Sequence, residues 1–204
     1  MTEPSRETPL FPLQTVLFPG GRLGLKVFEA RYLDLVADCL REQRPFGVVA
    51  LRSGHEVRRA EEDVAFERTG VFAELVEVDS QRPGILKLRC RGTQRFQVER
   101  TRQQADGLWL ACTRALADDE PRAPTPAQLD TVRGLANAIA SLKAQGSEPF
   151  DPPYRFDSAG WVANRWCEIL PIPLAAKQKL MELPDPVARL GLVDEFLRGK
   201  GVVK

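Results

Sequence analysis

At 204 residues the chain is long enough to bury a core without metal or disulfide support, and its 29 Lys and Arg against 28 Asp and Glu give no whole-chain field for nucleic acid or an anionic membrane. Four scattered cysteines, Cys39, Cys90, Cys112 and Cys167, and one histidine, His55, argue against a cysteine–histidine zinc site. No run approaches the roughly 18 apolar residues of a membrane span and none resembles a signal peptide, so the expectation is a soluble, reducing, cytoplasmic protein whose thiols pack as small apolar groups.

LFPLQTVLF (10–18) reads as two short extended pieces around a kink, with Pro12 excluding a helix and Pro19-Gly20-Gly21 forcing a turn. From Phe28 the period changes. Phe28, Tyr32, Leu35, Val36, Cys39 and Leu40 recur every three or four residues, which predicts a helix ending near Arg44, before Pro45. FGVVAL (46–51) reads as a buried strand. GVFAELVEV and ILKLRCRG flank the turn-rich DSQRPG and predict a hairpin. Pairing Val78 with Leu86 and Val76 with Leu88 turns those four inward and sets Glu77 opposite Lys87. TQRFQVERTRQQ and LWLACTRAL add two strands joined around Asp106-Gly107.

Composition shifts at DDEPRAPTP (118–126), whose prolines and acids read as an interdomain linker. Thr125, Pro126 and Gln128 form a helix-start pattern ahead of the stripe Leu129, Val132, Leu135, Ile139 and Leu142, with Gly146 as the stop. SEPFDPPYRF leads to Ser158 and a helix bearing Trp161, Val162, Trp166 and Ile169. LAAKQKLMEL gives a short helix, and Asp185-Pro186 starts a last one with Val187, Leu190, Val193 and Leu197 inward.

Leu10-Phe11-Pro12-Leu13, Val16-Leu17-Phe18-Pro19-Gly20 and Phe28-Glu29-Ala30-Arg31-Tyr32 together resemble the opening of the N-terminal domain of Lon proteases. The likeness continues in FGVVAL, GVFAELVEV, LKLRCRGTQRFQV and ILPIPLAAKQKLMELPDPVARLGLVDEFL, and so covers nearly the whole chain. It implies an α+β fold: a PUA-like β-barrel over residues 1–117 followed by a C-terminal helical bundle over 118–204. It also implies a substrate-recognition module. No G-x-x-x-x-G-K-[ST] is present to cradle ATP, so the chain is read as a stand-alone member without ATPase or peptidase domains, non-catalytic and needing no cofactor or metal.

Four groups compete with that reading. Ser158, within Ser-Ala-Gly, resembles the surroundings of the Lon nucleophile, with Lys200 and Lys204 farther on, and raises a serine hydrolase as an alternative. A helix cap explains it with less. Gly21-Arg22-Leu23-Gly24 matches a G-x-x-G loop by letter and reads as a tight turn. Glu29 and Arg31, two apart on a helix, point in different directions, leaving Arg31 to bond strand carbonyls or a carboxylate. Lys87, Arg89, Arg91 and Arg95 form a basic strand that offers RNA binding as the second alternative, although Glu74 and Glu77 lie on the preceding strand. The expected partners are polypeptide segments or unfolded proteins, in concert with a protease or chaperone, with no membrane and no nucleic acid. Trp161 and Trp166 read first as core packing, since large aromatics dominate burial; the functional alternative makes Phe150, Tyr154, Phe156, Trp161 and Trp166 the candidate peptide-binding residues of an apolar groove where bundle meets barrel.

Overall fold

The computed structural model describes residues 7–56 and 63–203, which fall into two compact units divided between Ala117 and Asp118. The first holds six strands, β1 (Thr8–Leu13), β2 (Arg22–Val27), β3 (Phe46–Ser53), β4 (Ala65–Arg82), β5 (Ile85–Gln103) and β6 (Trp109–Ala115), with helix α1 (Ala30–Glu42) between β2 and β3. Hydrogen-bonded neighbours run β2-β5-β4-β3-β1-β6, and β6 pairs again with β5. β5 serves both ends because it is 19 residues long, its early residues pairing with β2 and its late ones with β6. β1 and β3 are parallel, Leu10 opposite Gly47, which requires the crossover that α1 helps to make.

Leu10, Val49, Phe96, Val98 and Ala111, one or two from each of β1, β3, β5 and β6, form a core cluster against which Phe66, Phe72 and Trp109 pack. Glycine makes room for it. A Cβ on Gly70 would strike the Val48 carbonyl oxygen and come within 2.5 Å of the Phe96 ring. α1 buries Tyr32, Leu35, Val36 and Cys39, and the Tyr32 ring stacks on Phe11 with centroids 3.8 Å apart. Phe28 and Leu40 depart from the expected stripe, both about half exposed. Phe28 precedes the helix, and Leu40 lies a step round from Cys39, off the buried arc.

Four local expectations change. Only the first half of LFPLQTVLF is a strand; after Leu13 the chain leaves the sheet, yet Val16, Leu17 and Phe18 stay buried. The turn falls at Pro19–Gly20, with Gly20 at φ 74°, and Arg22–Gly24 belong to β2 rather than to a turn. The hairpin register also moves: Val78 faces Leu88, Glu77 faces Arg89 and Lys87 faces Asp79. β4 continues through Asp79–Arg82, so only Pro83 and Gly84 form the turn, with Gly84 at φ 77° as a Pro-Gly turn requires. A register shift between Leu75 and Glu77 accommodates the extra residue, and Val76 is half exposed. Glu29 and Arg31 do meet, at 3.0 Å, because Glu29 caps α1 in an extended conformation and the helical spacing rule does not reach it. Arg31 also donates to the Gly107 carbonyl at 2.9 Å.

The second unit opens irregularly, makes a single 3₁₀ turn at Pro126–Gln128, and continues as α2 (Leu129–Ala144), α3 (Ala159–Ile169), α4 (Leu174–Glu182) and α5 (Pro186–Gly199). α3 is its axis: from Ala159 to Cys167 every residue but Trp161 is buried. α2 buries Thr131, Leu135 and Ile139 and leaves Leu129 half exposed, because the helix begins there on its outer side. α5 starts on Asp185, whose carboxylate accepts the Val187 and Ala188 N–H groups at 2.8 and 3.0 Å, and buries Leu190, Val193 and Leu197. The stretch read as a linker is held fast. Asp119 receives both Arg189 terminal nitrogens, at 2.7 and 2.9 Å, while Arg189, 1 % exposed, also reaches Asn164 and the Leu180 and Leu183 carbonyls. A buried guanidinium needs that full set of acceptors.

Candidate functional site

The aromatic candidates gather in the second unit, on the loop before α3 and on its first turn. Ser158 ends the loop, its hydroxyl accepting the Trp161 N–H at 3.3 Å, which satisfies an orphan donor of the helix start. That cap fixes where Trp161 emerges. Its ring meets Phe150, Tyr154 and Phe156 at centroid distances of 6.3, 5.9 and 5.4 Å, and Tyr154 meets Phe156 at 6.0 Å. Three of the four contacts are edge-on, which brings the positive ring edge to the negative face.

The five candidates divide by burial. Phe150 and Trp166 belong to the interior, and the Trp166 indole N–H donates to the Thr131 carbonyl at 3.0 Å. Tyr154, Phe156 and Trp161 are half-buried and offer ring surface to solvent. Lys143 stands beside them, its Nζ 4.8 Å from the Tyr154 centroid. On the inner side the Arg165 guanidinium lies 5.5 Å from the Phe150 ring and 5.9 Å from that of Trp161, and its Nη2 meets Glu168 Oε1 at 2.9 Å. Burial pushes the Glu168 carboxyl up to about 7 against the pull of Arg165 and Lys177, and burial lowers Arg165. Sequence reasoning missed Arg165, Glu168 and Arg189 because charged residues on a helix read as a solvated face. The usable signal is that Arg165 follows Trp161 by one turn, in a helix whose other positions are mostly small or apolar.

The basic candidates lie in the first unit, on β5. Arg89 binds Glu77 and Arg91 binds Glu74, each at 3.0 Å, and Lys87 is exposed opposite Asp79. Arg95 is not on that face: it is 5 % exposed and donates to the Ala117 carbonyl at 3.2 Å. Its side-chain direction reverses because the register shifts between Val71 and Ala73. The cysteines are poor nucleophiles, burial raising Cys39 to about 11 and Cys90 and Cys167 to about 12. Cys112 is only half-buried. Among the described residues no three His, Cys, Asp or Glu side chains are grouped to hold a metal, and no described helix is long and apolar enough to cross a membrane.

A family model of the ATP-dependent protease La (LON) substrate-binding domain matches residues 7–199. The chain belongs to this family. Lon protease of Anaeromyxobacter dehalogenans (strain 2CP-C) is 26% identical over 198 residues and Lon protease 2 of Myxococcus xanthus 25% over 201, each match covering 94% of this chain and 23% of the relative. Protein cereblon of Xenopus tropicalis is 30% identical over 134 residues, covering 62% of this chain and 28% of that one. Among solved structures, a Lon N-terminal domain protein from Xanthomonas campestris superposes with a TM-score of 0.73 at 31% identity, covering 92% of this chain and 96% of that chain. The N-terminal domain of the Mycobacterium avium complex Lon protease, at 17% identity and a TM-score of 0.62, shares the fold. The Lon match is to a substrate-binding domain, a non-catalytic part of the protease, and supports a substrate-recognition role in general.

Proposed function

We propose that this chain is a non-catalytic module that binds polypeptide segments or unfolded proteins and presents them to a protease or chaperone, with residues 1–117 forming a PUA-like β-barrel and 118–204 a helical bundle. Its family supports the general role. The observation that carries the reading further is the half-buried set Tyr154, Phe156 and Trp161, with Lys143 at its side. Fixed aromatic surface gains affinity with little ordering cost, at about 25 cal/mol per Å² of apolar area before association costs are subtracted. Binding of this kind is broad and weak.

The test is fluorescence anisotropy with a panel of labelled unfolded polypeptides. Trp161→Ala is expected to weaken binding about tenfold, and raising salt from 50 to 200 mM should change it little. An RNA-binding role through Lys87, Arg89 and Arg91 predicts the reverse, a steep salt dependence. No binding by any member of the panel would retire the module.

A further inference from the structure

Among the described residues β2 is paired on one side only, to β5. Gly92 N–H donates to the Gly21 carbonyl at 2.8 Å, one step before the Arg22–Arg91 pair. Bonded and non-bonded pairs alternate along an antiparallel ladder. Leu23, Leu25 and Val27 therefore bond to β5, whereas Arg22, Gly24 and Lys26 turn their N–H and C=O groups to the open edge. Gly24 and Lys26 have no other backbone partner among the described residues.

The same alternation sorts the side chains. Leu25 and Val27 share a face with the buried Leu88 and Cys90, and the opposite face sets Lys26 against Lys87 and Arg22 against Arg91. Like charges directly opposed destabilise a sheet. β4 supplies acids to β5, in Glu74, Glu77 and Asp79, but among the described residues β2 has no strand on its far side to do the same for Lys26. Gly24 adds a second feature: a Cβ there would meet nothing within 4 Å, and its backbone is not in the left-handed region. Neither packing nor conformation calls for glycine, and a bare position lets another backbone approach. Alongside lies a cavity of about 250 Å³ whose apolar lining includes Phe11, Leu25, Val27, Phe28 and Tyr32. Its carboxylates are already engaged, Glu29 with Arg31 at 3.0 Å and Glu56 with the Gln14 N–H at 2.6 Å.

We infer that β2 accepts an added strand: an extended peptide in which acidic and apolar residues alternate. Its backbone bonds to the outward groups of Gly24 and Lys26, its carboxylates answer Lys26, and its apolar side chains enter the cavity. A strand's period of two matches the two faces it meets. This rests on the polypeptide-binding reading and gives it a second location and a sequence preference.

The experiment uses the full chain and a labelled Glu-Val alternating hexapeptide, with a Lys-Val counterpart and a single-stranded RNA of equal charge as competitors. Saturable binding of the Glu-Val peptide alone is expected, weakened tenfold or more by Lys26→Glu, together with slowed hydrogen exchange at the Gly24 and Lys26 amides in the complex. Lys26→Gln serves if the charge reversal unfolds the protein. Equal binding of the Lys-Val peptide, indifference to both Lys26 variants, or unchanged exchange at the two amides overturns the inference. So does RNA that displaces the peptide, which would assign the basic row to nucleic acid. Unfolded-polypeptide capture that persists without Glu-Val binding removes the edge site alone, while loss of both removes the module as well.

Discussion

Arg189 shows how much of the second unit depends on single polar contacts. Its guanidinium is 1 % exposed and Asp119 supplies the only full opposing charge among the acceptors described above. Asp119→Ala would strand a buried cation, and a loss of about 3–5 kcal/mol in denaturant unfolding is expected. Glu168 makes a different prediction, about pH. Its carboxyl is raised from 4.5 to about 7 by burial, so between those values the folded state holds a proton that the unfolded state has released. Stability should therefore fall as pH rises from about 4.5 to 7 and level off above. Glu168→Gln should flatten that slope, as read by thermal melts across the window. The Ser158 cap was legible in the sequence, since a serine ahead of an apolar period has few other local roles. Arg189 was not, because its burial depends on Asp119, brought from 70 positions earlier, and Arg165 was not, because its pairing with Glu168 three residues on reads as a solvated helix pair.

At the scale of elements, type was more legible than register. The helices follow from side-chain spacing and stand where it put them, save for Phe28, Leu40 and Leu129 on the outer side, and FGVVAL follows from its β-favouring composition. The β4–β5 hairpin does not, because its register depends on whether DSQRPG turns over six residues or only at Pro83–Gly84, and both choices keep an alternating pattern. β2 was also missed: RLGLKV alternates as a strand does, but reading Gly21–Gly24 as a turn cuts that period short. The aromatic cluster was legible as a group of residues and Trp166 as core, whereas the inward position of Phe150 and the half-exposed one of Trp161 depend on how the loop before α3 lies against its first turn. Two substitutions probe this level. Gly70→Ala, which forces a Cβ against the Val48 carbonyl and the Phe96 ring, should cost about 1–3 kcal/mol. Ser158→Ala should cost about 1 kcal/mol and weaken polypeptide capture through the misplaced Trp161 ring; unchanged capture would show that the cap does not orient that ring.

For the molecule as a whole, the boundary near residue 118 has a practical edge to it. A fragment beginning at Asp118 keeps the partner of Arg189, and one beginning at Pro121 loses it, so the shorter fragment should melt several degrees lower. The two units also differ in how far apart in the chain their contacts lie. Thr8 Oγ1 sits 3.0 Å from Thr113 Oγ1, 105 positions later, where β1 lies beside β6. At ordinary rates of synthesis, β1 leaves the ribosome roughly 5–20 s before its neighbour exists. During that interval Pro9 and Leu10 lack the β6 residues that pair with them, and the nascent chain itself is a client for the cell's folding helpers.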